Sequence, residues 1–167
     1  MSPWSWRARG WLVAASMGAG AMAAASVPPA AFGVADRQAV LLVHAEGAQV
    51  YECKAGADGA PAWSFREPIA TLISAGRTVG RHYAGPTWAL DDGGAVTGKL
   101  LASAPGATPA DVPLLKLAVA EHRGAGALAG ASLVLRLDTR GGVLSGPCGA
   151  PGDLRAQPYS ADYMFLR

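Results

Sequence analysis

Acidic residues are missing from the first 35 positions, and the only charges there are Arg7 and Arg9. Charged residues make up only 16 % of the 167-residue chain, and cysteine occurs twice. The low charge excludes a disordered polar chain, because there is ample apolar surface to bury. Two isolated cysteines without a C-x-x-C partner make a poor zinc site. The chain also lacks H-E-x-x-H, G-x-S-x-G and G-x-x-x-x-G-K-[ST], so zincin, nucleophile-elbow and P-loop chemistry have no motif here. Beyond the N-terminal stretch there is no amphipathic helical period of useful length.

Glycine (22) and proline (12) supply about one residue in five, without a G-X-Y period. Such frequent punctuation excludes collagen and suggests short, turn-rich elements. The basic start, the apolar run from Trp11 to Ala25 and the small residues that follow form a secretory signal pattern. Its apolar length is nearer a signal core than the ~20 residues of a membrane span. An uncleaved anchor is the alternative. Cleavage after Ala23 or Ala25 fits an A-x-A-like site, and Gly33-Val34-Ala35 is a later one. The expected organisation is a signal over 1–25, with cleavage as late as 35, a flexible linker over 26–36, and one β domain over 37–167.

Without Arg7 and Arg9 the basic residues fall from 14 to 12, equal to the 12 acidic ones. No basic stripe remains, so nucleic acid is not an expected partner, and no membrane is expected after signal removal. The expected location is periplasmic or secreted. In that setting Cys53 and Cys148 are most simply one disulfide, with two free thiols as the alternative.

The mature chain reads as strands. Val40–His44 and Gln49–Cys53 are β-rich runs with Gly47 between them. Asp58-Gly59 is a turn signal before Trp63–Phe65, Pro68 interrupts, and Ile69–Ile73 resumes. Thr78–Tyr83 follows. Thr87–Leu90 and Ala95–Leu101 flank Asp91-Asp92-Gly93-Gly94, the strongest hairpin signal. Pro113–His122 is open between strand and short helix. Ser132–Asp138 alternates, with Leu133, Leu135 and Leu137 on one face and Ser132, Arg136 and Asp138 on the other. The last strand places Tyr159, Ala161, Tyr163 and Phe165 on one face. These elements predict an all-β fold, a single mostly antiparallel β-sandwich or small β-barrel.

Chemical candidates are few. Gly124, Gly126 and Ala129 match G-x-G-x-x-A but precede a strand, so no helix N-terminus is there to cradle a pyrophosphate. His44-Ala45-Glu46 with Pro147-Cys148 is half a zinc deaminase signature, and position 151 is Pro where a ligand is needed. The densest segment is Gly80-Arg81-His82-Tyr83-Ala84-Gly85-Pro86-Thr87-Trp88. Its aromatics either fill a core or, with Trp63, form a ligand-binding surface of Trp63, His82, Tyr83 and Trp88. No cofactor or metal is expected. The leading expectation is a binding domain for an unknown small molecule or envelope component. The alternatives are a hydrolase or isomerase using His82 with Asp91 or Asp92, and a purely structural or interaction protein.

Tyr51-Glu52-Cys53, His82–Trp88, Gly98-Lys99, Ala102–Pro105, Leu114–Lys116, Arg136, Thr139–Gly142, Cys148 and Tyr159–Tyr163 together resemble an exported domain-of-unknown-function family, number thirty-four fifty-five. The match spans about residues 37–167, and the His82–Trp88 string is its specific part. The resemblance implies a single exported domain with the disulfide and no assigned activity. Some relatives carry a malate dehydrogenase label. This chain has neither the dinucleotide fingerprint in its proper context nor the helices of such an enzyme. It also carries Leu135 and Asp138 where the family pattern has amides.

Overall fold

The computed structural model describes residues 27–56 and 59–167. The signal pattern and the Asp58 half of the first turn lie outside the described residues. The chain forms a closed barrel of eight antiparallel strands in sequence order. These are β1 (Ala39–Ala55), β2 (Pro61–Ser74), β3 (Arg77–Tyr83), β4 (Thr87–Leu90), β5 (Ala95–Ala104), β6 (Leu114–Arg123), β7 (Leu133–Gly141) and β8 (Leu154–Leu166). β8 closes the ring on β1, from Ala39 opposite Leu166 to Glu52 opposite Leu154. Closure leaves no sheet edge, which decides barrel over sandwich.

Two expected breaks are absent. Gly47 lies inside β1, where a Cβ would come within 2.1 Å of the Ile69 carbonyl oxygen. Glycine there lets neighbouring strands approach rather than turning the chain. Pro68 lies inside β2, opposite Gln49, one pair before the β1 register shifts between Val50 and Tyr51. A bulge is where a strand tolerates a missing N–H. Pro113–His122 resolves as strand β6, and β8 begins five residues before Tyr159.

The inner face packs Val43, Ala45, Leu72, Val96, Val134 and Phe165, with Leu128 from the β6–β7 loop closing one end. Asp92 fixes that closure, accepting from Gly94 N at 2.9 Å and from Ala127 N at 2.8 Å. Its carboxyl is held below the usual range by these two N–H groups, Ala127 first. On the outer wall, His44 bridges the β1–β8 seam through Nδ1 to Asp162 (2.7 Å), and its Nε2 meets Glu46 (2.8 Å). Burial opposes its charge, but the two carboxylates outweigh that and raise its pKa. The half-exposed pair contributes little.

The Leu133, Leu135 and Leu137 face does not point into the barrel. Val134 and Arg136 pair with Phe165 and Tyr163 on the inside, so the leucines lie outside. They are covered by residues from the expected linker. A 3-10 turn at Ala30–Phe32 buries Phe32 against Leu133, Leu135, Leu137 and Leu166, with Val34 beside it. Lys116 Nζ donates to the Phe32 carbonyl and holds the segment down. This stretch is therefore a packed strap, not a free linker. Leu135 belongs to this outer contact.

The disulfide Cys53–Cys148 joins β1 to the β7–β8 loop, with Cα atoms 5.8 Å apart. The same loop bonds backbone to backbone, Trp63 N to Gly146 O and Cys53 N to Asp153 O. Phe32→Ala should cost about 3–5 kcal/mol, the usual range for emptying a buried phenylalanine site. Urea unfolding of the variant checks this, and a curve matching wild type would mean the strap is not bound.

Candidate functional site

In an up-and-down barrel successive connections alternate between the two ends. The β2–β3, β4–β5 and β6–β7 connections lie at the end that Leu128 closes. The β3–β4, β5–β6 and β7–β8 connections ring the other end. That second end opens into a cavity of about 500 Å³ inside the barrel. Its rim carries Phe65, Pro86, Pro113 and Val143, and its walls include Leu115 and Leu117.

The floor is built by the densest sequence segment. Gly85 takes φ +99°, a conformation glycine adopts freely, and Pro86 follows it into the turn. Thr87 Oγ1 donates to the Ala84 carbonyl at 2.9 Å and locks the turn. The resulting register sets His82 opposite Trp88. Their rings stack at 4.6 Å and 6°, and Tyr163 meets both edge-on, at 4.9 Å from His82 and 5.2 Å from Trp88. Phe165 supports Trp88 from below at 6.0 Å. Trp88 and Tyr163 are each 1 % exposed, and His82 is 2 %.

Because a carbonyl only accepts, the 2.8 Å contact between His82 Nδ1 and Thr87 O places the proton on Nδ1. Nε2 is then an acceptor. Burial pushes the His82 pKa down to about 4, against the Thr87 bond, and the Arg136 charge adds to the fall. Tyr159 and Tyr163, with hydroxyls 3.4 Å apart, are both pushed up, chiefly by burial, and stay protonated.

Two polar side chains, those of Arg136 and Gln49, had no signal as site residues in the sequence. Arg136 projects from β7 beside Tyr163, with its Nε–H donating to the Pro113 carbonyl at 3.0 Å. Gln49 is 2 % exposed and lies beside Tyr159, yet its Nε2 has no hydrogen-bond partner of standard geometry. Trp88 Nε1 is likewise buried without a protein partner. The available clue to Arg136 was Val134, an apolar residue on the supposedly polar face of its strand.

Of the four expected surface residues, His82 and Trp88 line the cavity and Trp63 and Tyr83 do not. Trp63 pairs with Cys53 near the disulfide, and Tyr83 is exposed beside Arg123, whose Nη2 is 3.4 Å from its hydroxyl. His82 is also apart from Asp91 and Asp92, which border a different hollow with Leu41, Val79 and Leu90 at the closed end. No Asp or Glu is among the residues lining the open cavity. Among the described residues no three His, Cys, Asp or Glu side chains cluster as a metal site.

His82 gives a signed pH dependence. The folded ring resists protonation down to about pH 4, whereas the unfolded ring takes a proton below its ordinary value of 6.5. This contribution is full above that ordinary value and is lost as pH falls through the window between the two, by about 3 kcal/mol in total. Unfolding free energies of wild type and His82→Gln should therefore converge on acidification through this window. Parallel curves would contradict the neutral buried ring.

No curated protein and no solved structure matches the chain. A family profile does match, over residues 34–167. It covers the whole barrel, the disulfide and every residue of the cavity, and the chain belongs to the family described as "Protein of unknown function (DUF3455)".

Proposed function

We propose that this protein is an exported binding barrel that holds a small molecule, or a small component of the cell envelope, in its open lumen. What supports the reading is an apolar cavity of about 500 Å³ with two buried donors: Trp88 Nε1 has no protein partner, and Gln49, beside Tyr159, has an Nε2 without a partner of standard geometry. Small-molecule sites are typically of this size, mostly apolar, with a few convergent polar groups. The disulfide, the basic start and the apolar N-terminal run support export.

The enzymatic alternative is less well supported. A hydrolase or isomerase built on His82 needs a carboxylate in reach, and the cavity lining has none. One ring nitrogen is spent on the Thr87 carbonyl, and a histidine held near pKa 4 is a weak base at neutral pH. A purely structural role calls for a filled interior, which the cavity argues against.

Native mass spectrometry after exposure to an extract of the producing cells tests the proposal. One retained molecule per barrel is expected, and Leu115→Trp, which fills the upper lumen, should abolish it. Protein that emerges with no adduct, or equal retention by the variant, would count against the lumen as the site.

A further inference from the structure

We propose that the lumen is selective for an organic anion, a hydrophobic carboxylic acid whose carboxylate is held by Arg136. This rests on the lumen reading above and assigns the chemistry of its ligand.

The first argument is charge. Among the described residues the ion pairs are His44 with Glu46 and Asp162, Lys54 with Glu52, and Arg66 with Glu67. Arg136 has none. Of the two guanidinium groups at the lumen, Arg66 is thus matched by Glu67 and Arg136 is unmatched. A permanent positive charge beside an apolar cavity favours a ligand that brings the opposite charge. It also disfavours a cationic one.

The second argument is the balance of donors and acceptors. Arg136 spends Nε on the Pro113 carbonyl and also meets the Tyr163 hydroxyl; together these orient the group, and its five N–H donors outnumber the two partners, so donors remain for a ligand. Trp88 Nε1, buried without a protein partner, and Gln49 Nε2, which has none of standard geometry, add donors. His82 supplies one acceptor, Nε2, and remains neutral, so with Arg66 matched by Glu67 the unmatched charge at the lumen is that of Arg136. Such a set is satisfied by an acceptor-rich head of one negative charge. A carboxylate fits, since guanidinium binds it in a planar, two-bond arrangement.

The third argument is the remaining wall. Phe65, Pro68, Val112, Leu115 and Leu117 offer no polar side-chain atoms, so the body of the ligand is apolar.

Calorimetric titration at about pH 8, where a carboxylic acid is ionised and histidine neutral, tests this with three matched probes. They are decanoate, decanol and decylammonium. Wild type should bind decanoate roughly 10–100-fold more tightly than decanol, the range for hydrogen bonds to a charged group, and decylammonium least of all. Arg136→Gln should bring decanoate down to the affinity of decanol, with decanol itself unchanged. Arg136→Lys should restore part of the preference. The wild-type ordering needs no variant, so a variant that fails to fold does not remove the test. Equal binding of decanoate and decanol by wild type would overturn the anion proposal and leave the lumen reading standing. A preference that survives Arg136→Gln would overturn Arg136 as the anchor. Binding of none of the probes would overturn the anion proposal and the lumen reading together.

Discussion

The stack of His82 on Trp88, braced by Tyr163, divides the inside of the barrel into two halves. Below it Phe165, Val43 and Leu128 continue as packed core. Above it the same inner face lines a cavity. An eight-stranded barrel is about wide enough to be filled by its own side chains or to hold one small ligand. The three rings set where filling stops. The position of His82 and Trp88 follows from a turn of three residues: the left-handed Gly85, the Pro86 after it, and the Thr87 that bonds Ala84 with its side chain and His82 with its carbonyl.

The polar groups above the stack make sense only against that floor. His82 could be a proton carrier in water, but burial and the neighbouring guanidinium make it a neutral acceptor. The two tyrosines are kept protonated for the same reason. With Arg66 paired to Glu67, the unmatched charge is that of Arg136, steered by the Pro113 carbonyl of the rim. His82 and the two tyrosines are thus held in one protonation state near neutral pH.

Much of the fold was legible from two-residue alternation and turn chemistry. The Tyr159–Phe165 face and the Asp91–Gly94 hairpin follow from local rules, and the pairing of Cys53 with Cys148 from there being two cysteines in a chain with an export pattern. Gly47 and Pro68 misled because both usually break strands, and here close strand approach and an adjacent bulge accommodate them. The two faces of β7 were legible, but not which of them lines the lumen, because its strongest hydrophobic alternation serves an outer contact with Phe32, a partner outside the sheet. That ambiguity also hid Arg136. His82 and Trp88 stood out by composition, whereas Gln49 became visible only once closure of the ring set it beside Tyr159.

The space above the three rings is open and apolar, while the space below is filled. Diffraction from crystals held under xenon pressure tests this without knowledge of the ligand, since xenon occupies apolar cavities. Xenon density is expected between Trp88, Leu117 and Phe65, with none around Leu128. An upper lumen that takes no xenon, with Phe65 and Arg136 folded inward against the stack, would contradict the account.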